Sequence, residues 1–149
     1  MRDQRIRMKL PKECVYCGET SHLALDHIVP TNRGGADSGE NVLWACRKCN
    51  SSKSDSDIFE WWFKHRAGFP PLLVIRIYLK QAIAYCKAND LMGRFVEEMD
   101  GHPFSFKHIP TDYPEPETLV FSPFYTRKAK SATAGSPTAA EELKTPPAN

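Results

Sequence analysis

The sequence predicts an α+β fold: a small motif of two strands and one helix, stapled through cysteines, then a helical extension and a disordered tail. Four of the five cysteines form two Cys-x-x-Cys pairs, and short hydrophobic strands flank a glycine-containing loop between the pairs. Apolar residues recur at helical spacing later in the chain. With 149 residues, 41% of them hydrophobic and 11% aromatic, the chain can build the core of one domain.

Composition also limits the classes of protein to consider. The longest aliphatic run covers only residues 72–75, far short of the roughly 20 apolar residues of a membrane span, so we expect no membrane partner. The N-terminus lacks an apolar stretch, and we expect no secretory signal. A net charge of +2 neither requires nor excludes a polyanionic partner.

The paired cysteines are Cys14 with Cys17 and Cys46 with Cys49, while Cys86 stands alone. Two such turns, or knuckles, supply four thiolates, which is a complete tetrahedral set for structural Zn²⁺. Two disulfides in an exported protein, or redox chemistry at one pair, are the alternatives. The odd fifth cysteine argues against the first and the second pair against the other. We therefore expect an intracellular (cytoplasmic) protein that resides in a reducing compartment.

The segment between the knuckles predicts a hairpin. Leu23, Leu25 and Ile28 indicate a first short strand with a hydrophobic face, and residues 42–45 a second one. The loop between them contains three glycines, where unusual backbone angles are expected. Residues 47–53 contain no helix breaker and are expected to open a helix.

A specific set of residues runs through this motif over positions 14–53: Cys14, Cys17, Asp26, His27, Ile28, Val29, Pro30, Gly34, Gly35, Asn41, Leu43, Cys46, Cys49, Asn50 and Lys53. In this set the sequence resembles the HNH endonucleases, which have a ββα-metal fold. The resemblance implies hydrolysis of DNA phosphodiester bonds with catalytic Mg²⁺ or Mn²⁺, leaving 5′-phosphate and 3′-hydroxyl ends. The final H of the family name stands for a histidine, and this sequence has Asn50 at that position, a substitution that occurs in the family.

The resemblance also implies residue roles. His27 would be the general base that activates water, a role suited to a side chain that titrates near neutral pH. Asp26 and Asn50 would bind the catalytic metal, while Asn41 would brace the loop and the orientation of His27. Adjacent strand residues point to opposite faces, so the strand end is expected to bend before Pro30. The four cysteines would hold structural zinc.

Basic residues around the motif are candidate phosphate ligands, namely Arg33, Arg47, Lys48 and Lys53. Ordinary solvated charge is the alternative for each of them. Residues 1–12 carry five basic side chains against one aspartate and form a basic arm. That arm could follow a DNA backbone or simply solubilise the terminus.

DNA is the predicted partner, and the oligomeric state is left open. The competing hypothesis is a zinc-knuckle module that binds nucleic acid or protein without cleaving it. The intact Asp26–His27 pair together with Asn50 favours the nuclease, because a decayed module is expected to have lost at least one of these residues.

We divide the chain into a basic arm (1–12), the nuclease motif (13–56), a helical extension that packs on it (57–101), an irregular proline-rich segment (102–125) and a disordered tail (126–149). In the extension, Asp57 predicts the cap of a helix that ends near Gly68. Its aromatic residues, Trp61, Trp62 and Phe63, are expected to pack on a second helix.

The second helix is predicted to open at the prolines before residue 72. Its expected core face consists of Leu72, Ile75, Leu79, Ile83 and Cys86. A third short helix is predicted over residues 91–99. Four aromatics of the irregular segment are available to dock on the surface: Phe104, Phe106, Phe121 and Phe124.

Overall fold

The structure, a computed structural model, describes residues 3–104, 106–110, 112 and 114–121. The predicted tail and Phe124 lie outside the described residues. The strands are β1 (Leu23–His27) and β2 (Val42–Cys46), and the α-helices are α1 (Asp3–Lys9), α2 (Arg47–Lys53), α3 (Ile58–His65) and α4 (Leu72–Ala88). Short 3₁₀ turns cover Thr31–Arg33, Val96–Glu98, Phe106–His108 and Pro116–Thr118.

The two strands form the predicted antiparallel hairpin, with Leu23 opposite Cys46 and His27 opposite Val42. Helix α2 follows β2 directly, and the sulfur of Cys46 caps it by accepting from the Cys49 amide at 3.5 Å. The α+β class and the order of knuckle, strand, loop, strand, knuckle and helix are confirmed. The predicted hydrophobic face of β1 is wrong at Leu25, which is 46% exposed.

Glycine and asparagine fix the course of the loop between the strands. A Cβ on Gly35 would lie 2.0 Å from the carbonyl oxygen of Val29, so the backbone can pass there only as glycine. Asn41 is fully buried and bridges the loop. Its side chain accepts from the Val29 amide at 3.0 Å and donates to the carbonyl oxygens of Val29 and Ala36 at 2.7 and 2.9 Å. The strand end and the loop therefore move as one unit.

Helix α3 begins where Asp57 caps it, accepting from the amides of Phe59 and Glu60. It ends at His65, three residues before Gly68. Phe59 meets Tyr78 of α4 edge-on, with ring centroids 4.7 Å apart. This contact joins the two helices of the extension.

Two predicted packing faces need correction. Leu72 and Ile83 are 36% and 45% exposed, because the buried face of α4 is rotated toward Leu73, Val74, Ile77, Tyr78 and Ala82. Phe63 is 48% exposed on the outer side of α3. A helical period fixes the spacing of the apolar residues on α4, but the side of this largely apolar helix that meets the core depends on its partners.

The predicted third helix over residues 91–99 is wrong, since only the turn Val96–Glu98 forms there. A helix of nine residues is marginal without an extensive packed face. Downstream, Phe104 and Phe106 are buried against Tyr85, whereas Phe121 is 37% exposed.

The N-terminal arm contains α1, which packs against the hairpin. Arg7 donates to the carbonyl oxygens of Gly39 and Val42 at 3.4 and 3.2 Å. The ammonium of Lys12 lies 4.9 Å from the ring centre of Trp44. Within the described residues, no helix is both long enough and apolar enough to span a membrane.

Candidate active site and metal centre

Folding brings the four paired cysteines together at the junction of the first knuckle, β2 and α2. Their sulfur atoms all lie within 4.8 Å of one another, and the Cys17 and Cys46 sulfurs are 3.8 Å apart. Tetrahedral zinc with Zn–S bonds of about 2.3 Å requires sulfurs roughly 3.8 Å apart. The donor set and its spacing therefore fit a structural zinc ion bound by Cys14, Cys17, Cys46 and Cys49.

The electrostatics of these thiols also suit a cation. Burial raises the pKa of Cys14 to about 11 and, together with neighbouring thiolate charge, raises the pKa of Cys49 further. Burial acts upward on Cys46 too, but hydrogen bonds from the Cys49 amide and nearby sulfurs lower its pKa on balance. Buried thiols with raised pKa values, such as Cys14 and Cys49, lose their protons more readily when a bound cation balances the charge. Arg66 adds positive charge by donating to the Cys49 sulfur at 3.0 Å.

A second feature is an open cleft of about 500 Å³ between the end of β1 and α2. Apart from Pro30, its lining side chains are polar: Asp26, His27, Thr31, Asn32, Asn50, Ser51, Ser54 and Asp55. Asp26 and His27 both border it although they are neighbours on a strand, because β1 ends at His27 and the chain turns into the loop. The cleft thus brings together three of the predicted site residues, Asp26, His27 and Asn50.

The carboxylate of Asp26 lies on the inner wall of the cleft and is 7% exposed. Tyr16, from the first knuckle, donates its hydroxyl to Oδ2 at 2.6 Å. Burial, followed by the negative charge of Asp26, raises the pKa of Tyr16 well above its usual value, so this hydroxyl stays protonated and remains a donor. One buried hydrogen bond therefore links the zinc knuckle to the cleft.

Lys53, the last residue of α2, lies on the other side of the Asp26 carboxylate and is fully buried. Its ammonium is 3.3 Å from Oδ1 and 3.2 Å from Oδ2 of Asp26, and donates to the His27 carbonyl oxygen at 3.0 Å. We predicted Lys53 as a phosphate ligand from sequence. In the structure its contacts are with the cleft wall, behind the residues that border the open space.

The imidazole of His27 is only partly buried at the mouth of the cleft. Its Nε2 lies 3.1 Å from Oδ1 of Asp37, an exposed residue of the glycine-containing loop. The Asn41 side chain makes its hydrogen bonds to Val29 and Ala36, and its role in orienting His27 stays a prediction. Asn50 projects from the first half of α2 onto the opposite wall.

Sequence comparison bears on this arrangement directly. The sequence model of the family described as "HNH endonuclease" matches positions 14–56, the segment that holds the cysteine cluster and the cleft. Residues 14–56 thus resemble an HNH endonuclease domain. The chain is also 36% identical over 53 residues to the CRISPR-associated endonuclease Cas9 of Corynebacterium diphtheriae, a match that covers 33% of this chain and 5% of that protein. No solved structure matches the chain.

The remaining basic candidates lie around the HNH domain in different settings. Arg47 and Lys48 are exposed and border a groove of about 580 Å³ beside the cysteine cluster, next to the cleft. Ser51 lines both spaces. Arg33 is partly buried and donates to the backbone carbonyl of Asp55 across the cleft. The roles of these residues toward phosphate stay predictions.

Three residues that contact the site, Tyr16, Asp37 and Arg66, were not predicted from the sequence. Tyr16 gave no signal beyond its place inside a knuckle, and Asp37 looked like any loop aspartate. Arg66 comes after the motif. Each acts through a contact between segments distant in sequence, and such contacts leave no local pattern.

Replacing Lys53 with methionine is expected to lower the free energy of unfolding by about 3 kcal/mol, because it leaves the buried Asp26 carboxylate without its cation. This loss of stability is at the low end of the range for a broken buried ion pair, because the Asp26 carboxylate borders an open cleft and can be hydrated. Urea denaturation of zinc-loaded protein measures it. Lys48→Met, at an exposed position of the same helix, should stay within about 0.5 kcal/mol of wild type. Equal midpoints for Lys53→Met and wild type would contradict the buried ion pair.

Proposed function

We propose that this protein is a metal-dependent HNH endonuclease that hydrolyses DNA phosphodiester bonds, nicking or cutting, and leaves 5′-phosphate and 3′-hydroxyl ends. The observation that carries the proposal is the cleft in which Asp26, His27 and Asn50 share one open space. A base and two oxygen ligands on facing walls are the groups that this reaction needs. The match of residues 14–56 to the HNH endonuclease family model supports the same conclusion.

His27 is the proposed general base. With Nε2 directed at the Asp37 carboxylate, the tautomer that carries its proton on Nε2 is favoured, and the Nδ1 lone pair is left to accept a proton from water. Asp37 then also stabilises the imidazolium that forms. The partial exposure of His27 lets the proton pass on to solvent after each turnover.

Asp26 and Asn50 offer a carboxylate and an amide oxygen, hard ligands of the kind that Mg²⁺ and Mn²⁺ prefer. Such an ion would neutralise charge on the phosphate and on the leaving oxygen. Two protein ligands leave the rest of the coordination shell to water and phosphate, so DNA itself should complete the site. Arg47 and Lys48 are placed to hold the DNA backbone beside the cleft.

A plasmid assay tests the proposal. Zinc-loaded protein should convert supercoiled plasmid to open circles with Mg²⁺ or Mn²⁺ and should be inactive with EDTA over short incubations. DNA ligase should reseal the nicks without prior end repair, because it requires a 5′-phosphate next to a 3′-hydroxyl. Plasmid that stays supercoiled with every metal, while the protein still retards it on a gel, would favour the non-catalytic zinc-knuckle module instead. Nicks that ligase cannot seal would overturn the assigned product ends.

A further inference from the structure

The buried hydroxyl of Tyr16 is the strongest feature of the site to which no role has been assigned. Tyr16 is 3% exposed and lies between two of the zinc ligands, Cys14 and Cys17. Its hydroxyl donates a hydrogen bond of 2.6 Å to Oδ2 of Asp26. Its ring packs edge-on against Trp61, with centroids 5.2 Å apart. The ring is thus fixed from two sides, and its hydroxyl points at one atom.

Without the Tyr16 hydroxyl, the Asp26 carboxylate would be less restricted in its rotation. A carboxylate has about four lone-pair positions. Lys53 approaches both oxygens, at 3.3 and 3.2 Å, and an ammonium is a point charge that accepts many orientations. The shorter hydrogen bond from Tyr16 is directed at Oδ2, whereas the hydrogen bond of Lys53 is to Oδ1, so Tyr16 helps to fix the rotation of the carboxylate. Hydrogen-bonded partners of this kind orient metal ligands and tune their affinity.

From this geometry we infer that Tyr16 is a positioning residue that holds the Asp26 carboxylate in the orientation needed to bind the catalytic metal, and so transmits the rigidity of the zinc knuckle to the cleft. The inference rests on the proposed function, since it takes Asp26 as a metal ligand. Tyr16 itself touches neither metal nor DNA. Its loss should therefore weaken metal binding more than it slows the metal-saturated reaction.

The chain offers a matched control for this inference. Tyr78 is 1% exposed and also donates its hydroxyl to a buried carboxylate, Oδ2 of Asp57, at 3.2 Å. That pair joins α3 and α4 and does not border the cleft. Tyr16→Phe and Tyr78→Phe each remove one buried hydroxyl and keep the aromatic ring. A general loosening of the fold would affect both variants alike.

The experiment is a titration of zinc-loaded protein with Mn²⁺ alone, followed by electron paramagnetic resonance of the free ion. Tyr16→Phe should raise the dissociation constant for Mn²⁺ roughly 10-fold, whereas Tyr78→Phe should leave it within about twofold of wild type. The Mg²⁺ concentration for half-maximal plasmid nicking should shift in parallel, with a smaller change in the saturated rate. Zinc content, measured by mass spectrometry, should be the same in all three proteins.

Each other outcome has a defined meaning. Wild-type Mn²⁺ affinity in Tyr16→Phe, an equal shift in Tyr78→Phe, or zinc loss from Tyr16→Phe would overturn the positioning role. Asn50→Ala separates this failure from failure of the proposed function. If Asn50→Ala weakens Mn²⁺ binding and Tyr16→Phe does not, only the role of Tyr16 is wrong. If wild type neither binds Mn²⁺ alone nor depends on added Mn²⁺ or Mg²⁺ for plasmid nicking, or if Asn50→Ala binds and responds to the metal as well as wild type, the metal site itself is wrong and the inference falls with it.

Discussion

Replacing Cys46 with serine is expected to release zinc and unfold residues 14–56. Cys46 ends β2, caps α2 and contributes one of the four clustered sulfurs, so its loss separates the hairpin from the helix. Zinc bound by four thiolates contributes about 10–16 kcal/mol in small zinc domains at neutral pH. That is as large as the roughly 5–15 kcal/mol by which an ordinary domain is stable. No other single replacement should have a larger effect on stability.

The matched control is Cys86→Ser. Cys86 is also buried, at 8% exposed against 4% for Cys46, but lies on α4 and is not part of the sulfur cluster. Zinc content by mass spectrometry and thermal unfolding by circular dichroism measure both variants. Cys86→Ser should keep one zinc per chain and a cooperative transition, and Cys46→Ser should keep neither. Equal zinc content in Cys46→Ser and wild type would contradict the four-thiolate site.

Replacing His27 with alanine is expected to reduce plasmid nicking by about 10²- to 10⁴-fold, the usual contribution of a general base. The fold and the zinc should be unaffected, because the imidazole is partly exposed and its side-chain partner, Asp37, is a surface residue. The measurement is the initial rate of conversion of supercoiled to open circular plasmid at saturating Mn²⁺. Zinc content and the unfolding midpoint are measured on the same preparation.

His65→Ala provides the comparison for this variant. His65 is an exposed histidine at the end of α3 and does not line the cleft. It should nick at the wild-type rate, which would show that losing a surface imidazole is harmless in itself. If His27→Ala also nicks at the wild-type rate, another group activates the water and the mechanism proposed here is wrong.

Sequence reasoning succeeded where structure depends on short-range spacing. Two residues between cysteines determine a knuckle, and an aspartate before an apolar run determines the cap of α3, so the hairpin, α2 and the start of α3 could be predicted. The cysteine cluster followed from the same spacing. The cleft itself was not predicted, but the family resemblance identified Asp26, His27 and Asn50 as candidate site residues. The structure adds that the three border one space.

Predictions failed where packing between distant segments decides the outcome. Which face of α4 is buried depends on the contacts of Tyr78 with Phe59, which precedes the helix in the sequence, and with Phe104, which follows it. The start of α4 is completed by residues far along the chain, since its first amides, from Leu72 and Leu73, donate to the carbonyl oxygens of Val120 and Phe121 at 2.8 and 3.1 Å. A lysine at the end of a helix is normally exposed to solvent. Lys53 is buried because its ammonium pairs with Asp26, which lies far from it in the sequence.

The contact between Arg66 and the Cys49 sulfur has an electrostatic consequence for the DNA binding proposed above. A zinc ion with four thiolates is formally a dianion, and such a charge beside a polyanion is repulsive. The guanidinium of Arg66, 3.0 Å from one sulfur, offsets part of it locally. Arg47 and Lys48 lie along the groove on the other side of the cluster. The cations near the knuckles therefore screen the metal centre's own negative field, and part of the basic charge of this surface is already committed before any phosphate arrives.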